Sequence, residues 1–107
     1  SSIHVGDRYY DLAKLYGGII INYDLIKQNK FSYLEKDGNI SFSFAQHKEM
    51  PEIKKVFEEI LINSKYDLKK IKIITALIYV NMSPLHKAPY SHLLFNFGKY
   101  LLQEELE

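Results

Sequence analysis

Residues 67–82 have the sequence DLKKIKIITALIYVNM, which contains the most apolar run of the chain. Asp67 predicts a helix start, because its carboxylate can accept free backbone N–H groups of a first turn. One apolar face at helical spacing consists of Leu68, Ile71, Ile74, Leu77 and Ile78. The second half has few polar positions. We therefore expect a helix over 67–82 that is buried on most sides and forms the centre of the core.

Two further helices are predicted on either side of this segment. One begins near Pro51, a residue tolerated in a first turn. Its apolar stripe is formed by Ile53, Val56, Phe57, Ile60 and Leu61, with Lys54, Lys55, Glu58 and Glu59 toward solvent. Pro84 ends the 67–82 helix, because proline disfavours helical geometry before it and cannot donate the ladder bond. The last helix begins near Pro89 and directs five apolar side chains inward: Leu93, Leu94, Phe97, Leu101 and Leu102.

The segment 31–44 has the two-residue alternation of β-strands on each side of Asp37-Gly38. An Asp-Gly pair between alternating runs predicts a β-hairpin, because glycine supplies the positive φ of a tight turn. The fold class is therefore α+β and mostly α, with about four helices and one hairpin.

A first helix is predicted over 7–21, with Asp7 as its N-cap. The apolar positions of this helix are Leu12, Leu15, Tyr16, Ile19 and Ile20. A short helical turn is predicted after it over 23–29, capped by Asn22 or Asp24. Gly17 and Gly18 oppose the helix locally, since each glycine costs about 1 kcal/mol relative to alanine. A packing reason or a kink is expected there.

Composition limits the function classes. The 107 residues are 47% hydrophobic with a net charge of +1, so the chain can bury one core but offers no broad attraction for nucleic acid. No cysteine is present, which excludes disulfides and thiolate metal sites and fits a cytoplasmic protein. The most apolar run is far shorter than the roughly 20 residues of a membrane span. We expect neither nucleic-acid nor membrane partners.

Two kinds of active site are disfavoured by residue spacing. His47, His86 and His92 form no His-x-x-x-His or Glu-x-x-His pair, so the sequence predicts no zinc site. Ser91 precedes His92 directly, and neighbouring residues on a helix point about 100° apart. A nucleophile and its base would not meet there, so hydrolase chemistry is disfavoured.

Residues 6–16, GDRYYDLAKLY, resemble the entry to the large C-lobe helix of the aminoglycoside phosphotransferase and choline kinase superfamily. There a string similar to Asp-Arg-Tyr-x-Asp-Leu/Ile-Ala follows the metal-binding acid. Residues 79–86 and 97–102 also resemble the tail of kinase-like proteins of bacterial surface-polysaccharide gene sets. The resemblance implies that 1–107 is either a single domain or the C-terminal subdomain of a larger kinase-like protein, resembling the C-terminal half of its C-lobe.

The resemblance also implies residue roles. Asp7, Arg8 and Asp11 would support the catalytic loop, and no catalytic residue or metal ligand would lie in this chain. Candidate acceptor-site residues are Tyr16, Asn81 and His86. ATP and Mg²⁺ would bind the upstream part of the same protein, which is the expected partner, and the reaction would phosphorylate a small hydroxyl compound.

Two alternatives stay open at this point. From residue types alone, Asp7 and Asp11 are helix-start carboxylates favoured by the helix dipole. The chain as a whole could be a non-catalytic helical binding or oligomerisation module. As a piece of a larger kinase-like protein it should instead expose an apolar patch around Leu12, Tyr16 and residues 17–18, with self-association to a homo-oligomer as the expected consequence. Residues 3–7, IHVGD, do not match a phosphotransferase catalytic loop, because Val5 interrupts His-Gly-Asp. Leu12 stands where the metal-binding Asn belongs, and its side chain has no oxygen for Mg²⁺.

Overall fold

The computed structural model describes the backbone over residues 3–107 and the side chains from residue 8 onward. Its elements are α1 (Ile3–Ile20), α2 (Tyr23–Lys27), β1 (Phe31–Lys36), β2 (Asn39–Phe44), α3 (Met50–Asn63), α4 (Leu68–Met82) and α5 (Tyr90–Leu106), with a 3₁₀ turn at Ser83–Leu85. The predicted fold class is confirmed: the described residues form a mostly helical α+β structure with one antiparallel hairpin.

Helix α4 lies at the centre of the core, as predicted. Asp67 is its N-cap, and the carboxylate accepts the backbone N–H of Lys70 at 3.2 Å. Ile71 is fully buried, because α1 and α5 both pack against α4. The prediction that Leu77 faces the core was wrong, since its side chain is 43% exposed. The buried arc of the second half runs instead through Thr75, Ala76 and Tyr79.

Helix α1 begins earlier than expected. Its first residue is Ile3, so Asp7 is not the N-cap and Asp11 lies in the third turn rather than the first. The side chain of Asp7 lies outside the described residues. Because both acids stand at least one turn inside the helix, dipole stabilisation at the helix start does not account for them.

The glycine pair leaves α1 continuous. A Cβ on Gly17 would lie 3.2 Å from the Tyr79 hydroxyl oxygen, and the Gly17 carbonyl accepts the Tyr79 O–H at 2.7 Å. The expected packing reason is therefore confirmed for Gly17. A Cβ on Gly18 would meet nothing within 4 Å. Close packing therefore does not explain the second glycine.

Helix α3 begins at Met50, next to Pro51, but its predicted apolar stripe was partly wrong. Leu61 is buried and Phe57 half-buried, as expected. Three positions of the stripe are instead largely exposed: Ile53 (49%), Val56 (45%) and Ile60 (56%). Lys54 and Glu58, expected toward solvent, are half-buried. The difference arises because α3 lies at the edge of the fold, where it contacts α1 and only a little of α4.

The hairpin packs on α5. Asp37 and Gly38 both have positive φ (53° and 80°), which is the geometry of the two-residue turn predicted from Asp-Gly. The register places Phe31 opposite Phe44 and Tyr33 opposite Phe42. Phe42 and Phe44 contact the buried Phe97 ring edge-on, with centroids 5.7 and 5.1 Å away. The alternating strand pattern thus places one half-buried face of the hairpin against the last helix.

The remaining connections follow the predicted signals. Asn22 caps α2 by accepting the backbone N–H of Leu25. Helix α5 begins after Pro89 and buries Leu93, Leu94 and Phe97. Gly98 allows α5 to approach α4 closely, because a Cβ there would lie 2.7 Å from the Ala76 carbonyl oxygen. None of the helices within residues 3–107 combines the length and apolar character that a bilayer crossing needs.

Candidate functional site

The residues predicted to support the catalytic loop occupy the N-terminal half of α1. Arg8 and Asp11 are both exposed, and because they are three positions apart they share one side of the helix. The side chain of Asp7 is not among the described residues. The opposite side of α1 is fixed in the core by Ala13 and Tyr16, which are 0% and 2% exposed. Arg8 and Asp11 therefore stand on a helix whose following turns are packed in the core, and their own side chains are open to contact.

The three predicted acceptor-site residues lie apart. Tyr16 faces α3, where its hydroxyl donates a 2.5 Å hydrogen bond to Glu58 Oε2. Burial, together with this bond to Glu58, raises the pKa of Tyr16 well above its usual value. Asn81 is exposed near the end of α4, and His86 is half-buried after the 3₁₀ turn. The fold does not bring these three residues to one site.

A cavity of about 420 Å³ lies between α1, α4 and the beginning of α5, and we refer to it as the apolar cavity. Helix α1 contributes one wall with Ala13, Lys14, Gly17 and Gly18, which Ile21 extends just after the helix end. Helix α4 contributes another wall with Thr75, Ile78, Tyr79 and Met82. Tyr23, His86, Tyr90 and Leu94 complete the lining. Of the residues predicted from the sequence as acceptor-site lining, only His86 borders this cavity.

The two hydroxyl groups that α4 contributes to the apolar cavity are already used within the fold. The Thr75 hydroxyl lies 3.1 Å from the Ala13 carbonyl oxygen and 2.8 Å from that of Ile71. The Tyr79 hydroxyl donates to the Gly17 carbonyl, and burial raises the pKa of Tyr79, which keeps it neutral. The α4 wall therefore offers methyl groups and ring carbons to an occupant.

Three rings that line the apolar cavity contact each other. The His86 and Tyr90 rings lie 4.9 Å apart, and the Tyr23 ring lies 6.0 Å from His86 and 6.1 Å from Tyr90. Lys27 places its ammonium 4.9 Å from the centre of the Tyr23 ring. Lys14 is the lysine that borders the cavity directly, and its ammonium lies 5.6 Å from the centre of the Tyr10 ring.

A second cavity of about 430 Å³ has a different character, and we refer to it as the polar cavity. Tyr16 lines it together with Lys54, Lys72 and Glu105. Gln46 also borders it and donates a 3.1 Å hydrogen bond to the Ile20 carbonyl. Because charges of both signs border this space, it suits a polar occupant. Tyr16 and His86 thus belong to two different cavities.

The other candidate groups do not converge on a catalytic arrangement. His92 stacks its ring on Tyr33 with centroids 5.4 Å apart, and Ser91, its neighbour in α5, is half-buried. Within the part of the chain that the structure describes, no three His, Asp or Glu side chains gather where they could hold a metal ion. Comparison of the chain with protein-family models, with curated proteins and with solved structures finds no match.

Sequence reasoning missed most of the apolar cavity. Lys14, Tyr23 and Tyr90 carry no signal of their own, since each reads as an ordinary surface or core residue of a helix. Gly18 did carry a signal, because a glycine inside a helix needs a reason. We interpreted that signal as a packing reason or a kink. The structure supports packing for Gly17 only, and α1 is continuous through both glycines.

Proposed function

We propose that this chain is the C-terminal helical portion of a phosphotransferase that acts on a small hydroxyl compound, similar to aminoglycoside phosphotransferases and choline kinases. In this proposal the chain is inactive alone and supplies catalytic-loop support and acceptor-site walls. ATP and Mg²⁺ bind the upstream part of the same protein. The sequence of residues 6–16 supports the proposal, because it contains the kinase-like string quoted above.

The observation that carries the proposal is the exposed position of Arg8 and Asp11 on a helix that is packed on its other side. Both are exposed on one side of α1, whose other side is held by the fully buried Ala13. A supporting residue must keep its geometry to within a fraction of an ångström, which a packed helix achieves better than a loop. Exposed side chains on such a helix are suited to contact another segment of a larger protein.

Phosphoryl transfer depends on this kind of support, because its catalysis consists mainly of positioning and electrostatic stabilisation. Asp11 would accept hydrogen bonds from backbone N–H groups of the catalytic loop and hold that loop in its active shape.

The acceptor-site part of the proposal has less geometric support. Tyr16 and His86 line separate cavities, so one small acceptor would contact at most one of them.

The test uses the full-length protein and an ATP-dependent phosphorylation assay over a panel of small hydroxyl compounds. Asp11→Asn should lower turnover by about 100-fold, because a misplaced catalytic group costs that much. The free energy of unfolding should change by less than about 0.5 kcal/mol, since the side chain is exposed. Glu59→Gln on α3, also an exposed acid, is the matched control and should keep full turnover.

Two results would contradict the proposal. Equal turnover in Asp11→Asn and the parent would leave Asp11 an ordinary surface carboxylate. Micromolar binding of ATP–Mg²⁺ by residues 1–107 alone, measured by calorimetry, would place nucleotide binding where the proposal has none.

The alternative is a non-catalytic helical binding or oligomerisation module. The exposed Ile53, Val56 and Ile60 on α3 favour it, because adjacent exposed apolar side chains on one helix often belong to an interface. The expected surface around Leu12 and Tyr16 does not contribute, since Tyr16 is buried and Leu12 half-buried. Sedimentation over a concentration series decides this alternative: self-association that Val56→Glu abolishes supports it, and a monomer at every concentration contradicts it.

A further inference from the structure

Gly18 is a residue that the fold does not require. Its neighbour Gly17 has a packing reason, because a Cβ there would crowd the Tyr79 hydroxyl. Gly18 has no such contact within 4 Å and no positive φ, yet glycine destabilises a helix interior. Gly18 borders the apolar cavity, so its missing side chain leaves the α1 wall open. A ligand in the cavity therefore explains Gly18 better than packing within the chain does.

The interior of the apolar cavity suits hydrocarbon. Ile21, Ile78 and Leu94 present aliphatic side chains, and the Thr75 and Tyr79 hydroxyls are bonded to α1 carbonyls. A polar group of a ligand placed against these walls would lose its water without gaining a partner, which is unfavourable. The volume of about 420 Å³ falls within the roughly 300 to 1,000 Å³ typical of small-molecule sites.

The charge at the apolar cavity is positive. Lys14 lies four residues before Gly18, hence on the same side of α1, and both border the cavity. No Asp or Glu side chain is among the lining residues that the structure describes. Asp11 shares this side of α1 one turn before Lys14, but it does not border the cavity. An anionic group of a ligand would therefore be favoured beside Lys14, where a charge-assisted hydrogen bond can form.

We propose that the apolar cavity binds a small amphipathic carboxylate. Its hydrocarbon or aromatic body lies between Gly18 of α1 and the α4 wall, and its carboxylate pairs with Lys14. The rings of Tyr23, His86 and Tyr90 close one side of the site. This ligand site goes beyond the proposed phosphoryl transfer and does not depend on it, because it uses neither Arg8 nor Asp11. Of the candidate acceptor-site residues it shares only His86.

The test measures binding of octanoate to the full-length protein by calorimetry, with 1-octanol and octylamine as neutral and cationic analogues of the same chain length. We expect saturable binding at one site, tightest for octanoate and weakest for octylamine. Lys14→Gln should weaken octanoate binding about fivefold, the size of one exposed ion pair, and leave 1-octanol unchanged. Lys48→Gln, at an exposed lysine outside the site, is the matched control and should change neither.

A second part of the test fills the apolar cavity with a larger side chain and measures octanoate binding again. Gly18→Leu should abolish octanoate binding, because the new side chain occupies the open wall without meeting other atoms within 4 Å of its Cβ. Met82→Phe narrows the site from α4 and gives the same expectation should the glycine variant fail to fold. Parent-like octanoate binding in a folded Gly18→Leu or Met82→Phe protein overturns the proposal. Octylamine that binds as tightly as octanoate, or binding that does not saturate, overturns it as well.

Discussion

Helices α3 and α4 have similar sequence patterns and different surroundings. Each carries apolar residues at helical spacing, and each was expected to bury that stripe. In α4, Ile71 is fully buried between α1 and α5. In α3, Ile53 and Ile60 are about half exposed, and the buried arc runs through Met50 and Leu61 instead.

The difference shows what periodicity can and cannot establish. Apolar spacing predicts a helix and its amphipathic character. Which arc is buried depends on the number and direction of the neighbouring elements. Helix α4 has a neighbour on two sides, so a wide arc is covered, whereas α3 is covered mainly by α1. The prediction was therefore accurate for Ile71 and wrong for Ile53, although both residues are isoleucines on predicted core stripes.

The largest expected effect follows directly from this comparison. Ile71→Ala should lower the free energy of unfolding by about 2 to 5 kcal/mol, because it removes buried methyl groups and leaves a cavity. The matched change Ile53→Ala in α3 should cost less than about 1 kcal/mol, since Ile53 is 49% exposed. Urea denaturation of both variants measures the two values. Equal losses would show that α3 is as well covered as α4.

The next largest expected effect comes from two glycine variants, which compare a closely packed helix contact with an open helix surface. Gly98→Ala should destabilise the chain by about 1 to 3 kcal/mol, because its Cβ would lie 2.7 Å from the Ala76 carbonyl where α5 meets α4. Gly18→Ala should instead stabilise it by about 0.5 to 1 kcal/mol, since the helix gains alanine and the new Cβ meets nothing. Denaturant midpoints of the two variants should therefore move in opposite directions. A loss of stability in Gly18→Ala would reveal a contact at that wall.

Local signals in the sequence predicted much of the fold. Asp67 and Asn22 cap the helices that they were expected to cap, and Asp37-Gly38 forms the hairpin turn. Asp7 shows the limit of this reasoning. A good capping residue indicates that a helix can begin there, but nothing prevents the helix from continuing upstream, and α1 does so to Ile3.

The apolar cavity could not be predicted from the sequence, because it depends on pairs of residues far apart in the chain. The bond from Tyr79 to Gly17 joins positions 62 apart, and so does the contact of Thr75 with Ala13. Each helix pattern describes one element and says nothing of which elements meet. The one sequence feature related to the cavity was Gly18, a glycine inside a helix that packing does not explain.

The smallest expected effect concerns pH and again separates the two regions. The tyrosines whose pKa is raised mainly by burial belong to α1, α4 and α5, and none lies on α3. Burial, with a smaller contribution from Tyr23, raises the pKa of Tyr90 from 10.0 to about 12. Between pH 10 and 12 the unfolded chain therefore loses a proton that the folded chain keeps. Because the folded state then binds more protons, the free energy of unfolding falls as the pH rises.

Tyr90→Phe removes this titration, so it should lose less stability between pH 9 and 11 than the parent does. The difference should stay under about 1 kcal/mol at pH 11, because Tyr90 is only half-buried and solvent screens its charge. Denaturation of both proteins at pH 7 and 8, where tyrosine stays protonated, provides the baseline for the loss of the hydroxyl itself. A parallel decline of the two proteins above pH 10 would mean that the Tyr90 hydroxyl is in contact with water in the folded chain, and that the aromatic side of the apolar cavity is open.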